Sequence, residues 1–264
     1  YRRVRTQKID FLALEDFDYS RTRLVDDNWG YSWDRVVTYV KDPEMFIVFD
    51  IFKALREEWF TLANLWHTQK IVERGEHWYR TAYEKIQASP LPADKDLLVI
   101  FPETHYRMEG VEPIKRHYQD ELAIHQVTAQ HFELGETVGF VTVLIPVDRG
   151  AASDWPARVK SMPVGPDRAG LGVEIRTAGG KTILAAVKGD LRRDMSRDWR
   201  RPRYTYEAGR VAFGEFETDG DLLFATIEGG TAGGEAPRLD YTIVNLTKAL
   251  FRGEPLVEVK PAVF

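Results

Sequence analysis

The chain has no cysteine among its 264 residues, which excludes disulfides, thiol nucleophiles and thiolate metal sites. It has no apolar run approaching the roughly 18 residues that a membrane-spanning helix needs. It also lacks an excess of base. Its 36 Lys+Arg stand against 41 Asp+Glu, for a net charge of −5, whereas nucleic-acid binding calls for a basic surface that displaces counterions. Neither nucleic acid nor membrane is therefore expected as a partner. No phosphate-cradling glycine loop is present, because Gly229-Gly230 and Gly233-Gly234 are not followed by Lys-Ser/Thr. There is no Gly-x-Ser-x-Gly elbow and no His-Glu-x-x-His helix, so several large enzyme classes drop out. The chain opens on Tyr1-Arg2-Arg3-Val4-Arg5 without Met or an apolar signal core. The expectation is a piece of something longer, or a processed product.

What is present is a period of two. Val36 to Val40, Met45 to Phe52, Leu97 to Phe101, Glu121 to Thr128, Val138 to Val147, Lys181 to Val187, Val211 to Phe216 and Leu222 to Ile227 are short and rich in β-branched and aromatic residues. Such runs, bounded by turn residues, predict strands. Gly179-Gly180 and Asp219-Gly220 sit between apolar runs, where a primed hairpin turn needs positive φ. Ile51 to Trp66 carries both periods. Two strands joined near Arg56 are the preferred reading, with a short helix over 51–60 as the alternative. The fold class is then all-β, a large antiparallel β-sandwich. Residues 1–150 would form the main sheets, 151–170 a long Gly/Pro-rich loop, and 171–264 a continuation or a small C-terminal β subdomain.

Candidate chemistry is sparse. His125 and His131 share a strand face but lie about 20 Å apart at ~3.3 Å per residue, too far for one metal. His77, His105 and His117 read as loop or half-buried structural histidines, with His105 and its neighbour Tyr106 the only candidates for a catalytic base. His67 closes an aromatic run with Asp34 and Asp50 nearby in a meander, and two carboxylates with an imidazole can hold zinc or calcium. The competing account pairs Asp50 with Arg35. A two-residue connection between Lys41 and Met45 puts Arg35 and Asp50 on one face, whereas a three-residue one puts Asp34 there. Trp33 and Trp59 read as core filler between sheets, while Trp29, in an Asp26-Asp27-Asn28 loop, is a candidate sugar platform. The run Lys188 to Arg203 interleaves Arg192, Arg193, Arg197 and Arg200 with Asp190, Asp194 and Asp198. It forms a local cationic patch suited to an anionic glycan.

Several segments taken together resemble the C-terminal β-rich region of heparinase II/III-type polysaccharide lyases. They are Trp33-Asp34-Arg35-Val36-Val37-Thr38-Tyr39-Val40-Lys41, followed by Met45-Phe46-Ile47-Val48-Phe49-Asp50, then Leu65-Trp66-His67 and Gly139-Phe140-Val141-Thr142-Val143-Leu144-Ile145-Pro146. The stretches Phe216 to Phe224 and Val244 to Phe251 are similar to that family's closing hairpins. The resemblance implies the β-sandwich part of a secreted or periplasmic protein acting on uronic-acid-containing glycans, such as a glycosaminoglycan, by β-elimination. An N-terminal α-helical toroid would supply most catalytic groups, so the isolated chain is not expected to be catalytic alone. It also implies a divalent-metal site near Asp34, Asp50 and His67, while the glycan contacts from Trp29, Arg193 and Arg197 rest on the residues themselves. The alternative is a noncatalytic carbohydrate-binding or interaction module.

Overall fold

The computed structural model describes residues 4–82, 94–102, 107–115, 120–165, 170–191, 210–229 and 238–258. It is all-β, and the chain divides into two units, 1–160 and 161–264. The first unit contains β1 (Arg5–Ala13), β2 (Phe17–Asp26), β3 (Tyr31–Lys41), β4 (Glu44–Ala54), β5 (Glu58–Thr68), β6 (Lys70–Gly75), β7 (Trp78–Ala82), β8 (Lys95–Ile100), β9 (Met108–Lys115), β10 (Asp120–Phe132) and β11 (Thr137–Asp148). Eight of them form an antiparallel sheet in the order β1-β2-β3-β4-β11-β8-β7-β6, and the other three form β5-β10-β9. The two sheets pack face to face. Phe52, Ala54, Val138 and Phe140 of the large sheet join Leu62 and Phe132 of the small one in a single buried cluster. Phe52 is its centre, with its ring centroid 4.9 Å from those of Phe60 and Phe132.

The segment 51–66 is two strands, without the alternative helix. β4 ends at Ala54, β5 begins at Glu58, and Leu55–Glu57 make the turn. In β5, Leu62 and Asn64 are buried and Phe60 and Trp66 partly so, while Thr61, Ala63 and Leu65 are exposed. That alternation is the signature of a strand with one covered face. Trp59 falls on the outer set and is 70% exposed, which corrects its reading as core. Trp33 does pack inward, stacked 6.2 Å from Phe140.

The second unit is also built from two antiparallel sheets. After the one-turn helix α1 (Trp155–Arg158) come β12 (Val159–Ser161), β13 (Val164–Gly165), β14 (Gly170–Arg176), β15 (Thr182–Lys188), β16 (Val211–Phe213), β17 (Phe216–Thr218), β18 (Leu222–Glu228), β19 (Arg238–Val244), β20 (Lys248–Phe251) and β21 (Glu254–Glu258). The orders are β12-β14-β15-β18-β19 and β13-β16-β17-β20-β21. Leu184, Ala186, Leu223 and Ala225 of one sheet bury against Val211, Phe213 and Phe216 of the other. The stretch 151–170 thus contains α1, β12 and β13 as well as irregular chain.

Gly179-Gly180 lies in the β14–β15 connection, with Gly180 at φ +81. Asp219-Gly220 is not a hairpin turn, because β17 and β18 belong to different sheets. It is the corner where the chain crosses between them. Gly220 is there for space, since a Cβ would come within 2.3 Å of the Ile243 side chain. Asp219 fixes the corner by accepting the backbone N–H groups of Thr247 (2.8 Å) and Lys248 (3.0 Å) and the Thr247 hydroxyl. Asp219→Ala is expected to lower the stability of this unit by about 1–3 kcal/mol, the usual range for leaving buried donors unpaired. Urea unfolding checks it, and Asp219→Asn should recover part of the loss.

Candidate functional site

The register of β3 against β4 decides between the two readings of Asp50. Lys41 pairs with Glu44 across a two-residue connection, so Arg35 lies opposite Asp50 and Asp34 opposite Ile51. Arg35 grips Asp50 bidentately, Nε to Oδ1 at 2.8 Å and Nη2 to Oδ2 at 2.9 Å, and the Trp33 indole N–H donates to Oδ1 at 2.8 Å. The bond from Asp50 holds the Arg35 guanidinium pKa above its ordinary value, against the downward pull of burial.

Asp34 points to the opposite face of the pair. There it meets Arg21 (Nε to Oδ2, 2.8 Å) and Arg23 (Nε to Oδ1, 2.6 Å). Burial pushes the Asp34 carboxyl upward, yet the two guanidiniums outweigh it and leave the pKa below the ordinary value. His67 lies on the outer face of β5 and bonds to Glu121. The structure therefore does not gather Asp34, Asp50 and His67 into one donor set. Their spacing suggested a common site, but adjacent strand positions face opposite ways. Among the described residues, no other group of three or more His, Asp or Glu is placed to hold a metal.

The better candidate is a cavity of about 450 Å³ in the first unit, at the C-terminal end of β5. His67, Thr68 and Gln69 form one wall, Lys95, Asp96 and Leu97 another, and Glu121 and Pro146 complete it. His67 sits opposite Ala123 on β10, so Glu121 is its diagonal neighbour, and Nδ1 lies 3.0 Å from Glu121 Oε2. A neutral imidazole in that arrangement donates from Nδ1 to the carboxylate and keeps Nε2 as an acceptor. Lys95 Nζ is 2.5 Å from Asp148 Oδ1. The bond raises the ammonium pKa and lowers that of the carboxyl, so both stay charged.

Beneath them Asp96 is buried. It accepts Arg80 Nε at 2.9 Å and Arg149 Nε at 3.1 Å. Arg80 also donates to the carbonyls of Asp148 (2.7 Å) and Ala151 (2.6 Å), which ties the segment after β11 to β7 and β8. The cavity thus offers hydroxyl and amide groups from Thr68, Thr81 and Gln69, one ammonium and one oriented imidazole. That set can hydrogen-bond a sugar ring bearing a carboxylate or sulfate.

Of the other candidates from the sequence, Trp29 is 56% exposed in the β2–β3 turn. Its N–H donates to Asp26 Oδ1 at 3.1 Å. It is at the opposite end of the strands from the cavity, and β5 alone spans about 26 Å between Trp59 and His67 at ~3.3 Å per residue. His105, Tyr106, Arg193 and Arg197 lie outside the described residues. Sequence reasoning missed Glu121, Lys95, Asp96 and Arg80, whose roles depend on strand pairings that no local pattern reveals.

The sequence matches no protein-family profile and no curated protein. Among solved structures it is similar to the heparan sulfate lyase HepC of Pedobacter heparinus, at 12% identity and a TM-score of 0.48. A mutant of the same enzyme gives 13% and 0.45. In both, 70% of this chain is covered, and the chain spans 28% of the length of that lyase.

Proposed function

We propose that this chain is the β-sandwich portion of a polysaccharide lyase-like protein that holds a uronic-acid-containing glycan in the cavity beside His67. The observation that supports this most is the cavity itself. A carboxylate-oriented imidazole and the Lys95 ammonium converge there on space large enough for a sugar unit. The order of sequence segments resembling the heparinase II/III-type lyases supports it as well. In the reaction of such a protein, the uronate carboxylate is neutralised and a base takes the C5 proton. The electron pair forms the C4–C5 double bond as the glycosidic oxygen leaves. Most of the catalytic groups belong to a helical toroid outside this chain. A secreted or periplasmic setting fits such a substrate. No helix among the described residues is long and apolar enough to cross a membrane.

A noncatalytic glycan-binding module is the second reading. One feature favours it: the ionised groups around the cavity are already paired, Lys95 with Asp148 and Asp96 with Arg80 and Arg149, and His67 is already hydrogen-bonded to Glu121. That suits holding a ligand more than moving a proton.

The test is calorimetric titration with heparan sulfate oligosaccharides. Lys95→Ala and His67→Ala should each weaken binding on the order of tenfold, the effect of losing one charged or oriented contact. Unchanged affinity in both variants removes the cavity as the glycan site. An assay for the ultraviolet absorbance of unsaturated uronates separates the two readings. The lyase portion gains activity when a helical partner is supplied, and the binding module does not.

A further inference from the structure

The end of the first unit remote from the cavity has a different chemistry. Three turns meet there: β2–β3 (27–30), β4–β5 (55–57) and β10–β11 (133–136). Backbone hydrogen bonds tie them together. Leu55 N–H donates to Gly30 O at 2.8 Å, Ala54 N–H to Glu136 O at 3.0 Å and Gly135 N–H to Ala54 O at 2.8 Å. Arg56 packs over Gly30, where a Cβ would meet its side chain at 2.5 Å, and its Nη1 donates to Asn28 O at 3.2 Å. Asp26, itself buried, accepts the N–H groups of Asn28 and Trp29 and so sets the β2–β3 turn.

On this cross-linked platform stand four large apolar side chains facing water: Trp29 (56% exposed), Leu55 (37%), Trp59 (70%) and Leu134 (72%). A single exposed hydrophobe is ordinary, but four at one end of a sandwich, on adjoining turns and the first residues of β5, mark an interaction surface. Because the backbone beneath is already ordered, docking there pays little for loop ordering. The charge around them is predominantly negative. Asp27, Glu57, Glu58, Glu133 and Glu136 are all exposed. Against them are Arg56, engaged by Glu58, and the half-buried Lys53. Such a rim repels the sulfates and carboxylates of an anionic glycan. It attracts Lys and Arg side chains, which can also lie over the two indole faces.

We infer that this acidic, tryptophan-bearing end is a docking surface for a basic, amphipathic segment of a protein, separate from the glycan cavity. Apolar side chains of that segment pack on Leu55, Leu134 and the two indoles, while its Lys and Arg residues meet the exposed carboxylates of the rim. Trp29 then reads protein and not sugar.

The experiment uses the full chain and a synthetic amphipathic helix of Lys and Leu, with the same helix carrying Glu for Lys as control. Calorimetry should show the basic helix binding and the acidic one not. Affinity should fall about tenfold or more in Trp59→Ser and in Leu134→Ser, since truncating a buried anchor has that effect. It should fall again in Glu57→Gln/Glu133→Gln, and it should decline with salt. All these residues are exposed, so thermal melts should match the parent. Heparan oligosaccharide binding through His67 should stay unchanged, so this inference and the glycan reading fail independently. Equal binding of both helices, no binding of the basic one, or insensitivity to the apolar variants overturns the proposal. So does concentration-dependent self-association abolished by Trp59→Ser, which would make a second copy of the chain the occupant.

Discussion

Asp34→Ala is expected to destabilise the first unit by about 3–5 kcal/mol, the range for removing one partner of a buried ion pair. The arrangement explains the size. Arg21 is fully buried and Asp34 is 3% exposed, and Arg21 Nη2 reaches Oδ2 at 2.6 Å in addition to the Nε bond. Arg23, directly across the ladder from Asp34, adds Nε to Oδ1 and Nη2 to Oδ2 at 2.8 Å. Without the carboxylate, a guanidinium sits in the sheet without its counter-charge, far from water that would solvate it. A double change, Arg21→Met with Asp34→Leu, should cost much less than Asp34→Ala, because it removes the charges together.

The pH dependence follows from the depressed carboxyl. A carboxylate whose folded pKa lies below 3.8 binds fewer protons folded than unfolded near that pH. Its contribution is complete above 3.8 and is lost as pH falls through the depressed folded value. Urea midpoints at neutral pH and in acid should therefore converge between Asp34→Ala and the parent as acid protonates the group. A stability difference at neutral pH below about 1 kcal/mol, as for an exposed pair, would show that the arginines are solvated.

How far the sequence reveals this depends on the range over which each pattern acts. The strand alternation of β5 is local, and it correctly sets Leu62 and Asn64 on the face opposite Ala63 and Leu65. Which face is core is not local. Trp59, Ala63 and Leu65 are as apolar as Phe60, Leu62 and Trp66, so only packing against β4 and β11 decides, and it leaves Trp59 outside. The Arg35–Asp50 pair turns on the length of one connection, Asp42-Pro43, so the sequence narrowed it to two alternatives and the register decides between them. The His67–Glu121 pair spans 54 positions and exists because β5 pairs with β10, a partner that no periodicity selects. Asp219-Gly220 fails in the other direction. Its composition fits a hairpin, but the glycine is required by Ile243, a neighbour from β19. Patterns within a strand and its next turn carry through, and contacts made by distant strands do not.

That distance dependence makes Arg80 the more informative second test, because no local feature marks it. Arg80→Ala is expected to cost about 3–5 kcal/mol and to abolish glycan binding at the cavity. Arg80 is 5% exposed, and its three donor contacts join β8 and the segment after β11 to its own strand β7. Removing it leaves Asp96 with Arg149 alone, whose own side chain is 44% exposed and so a weaker counter-charge. It also strips a donor from the carbonyls of Asp148 and Ala151, each a loss of about 1–3 kcal/mol when the acceptor stays buried. Asp148 then no longer fixes Lys95, and Asp96 and Leu97 line the same cavity, so stability and binding should fall together. Arg80→Lys separates charge from geometry. An ammonium can satisfy Asp96 but has no planar fork to reach both carbonyls at once. It should recover roughly half the stability and little of the affinity, because the segment holding Asp148 stays loose. Full recovery by lysine in both measurements would mean that the cavity depends on the charge at Asp96 and not on the tether to the chain after β11.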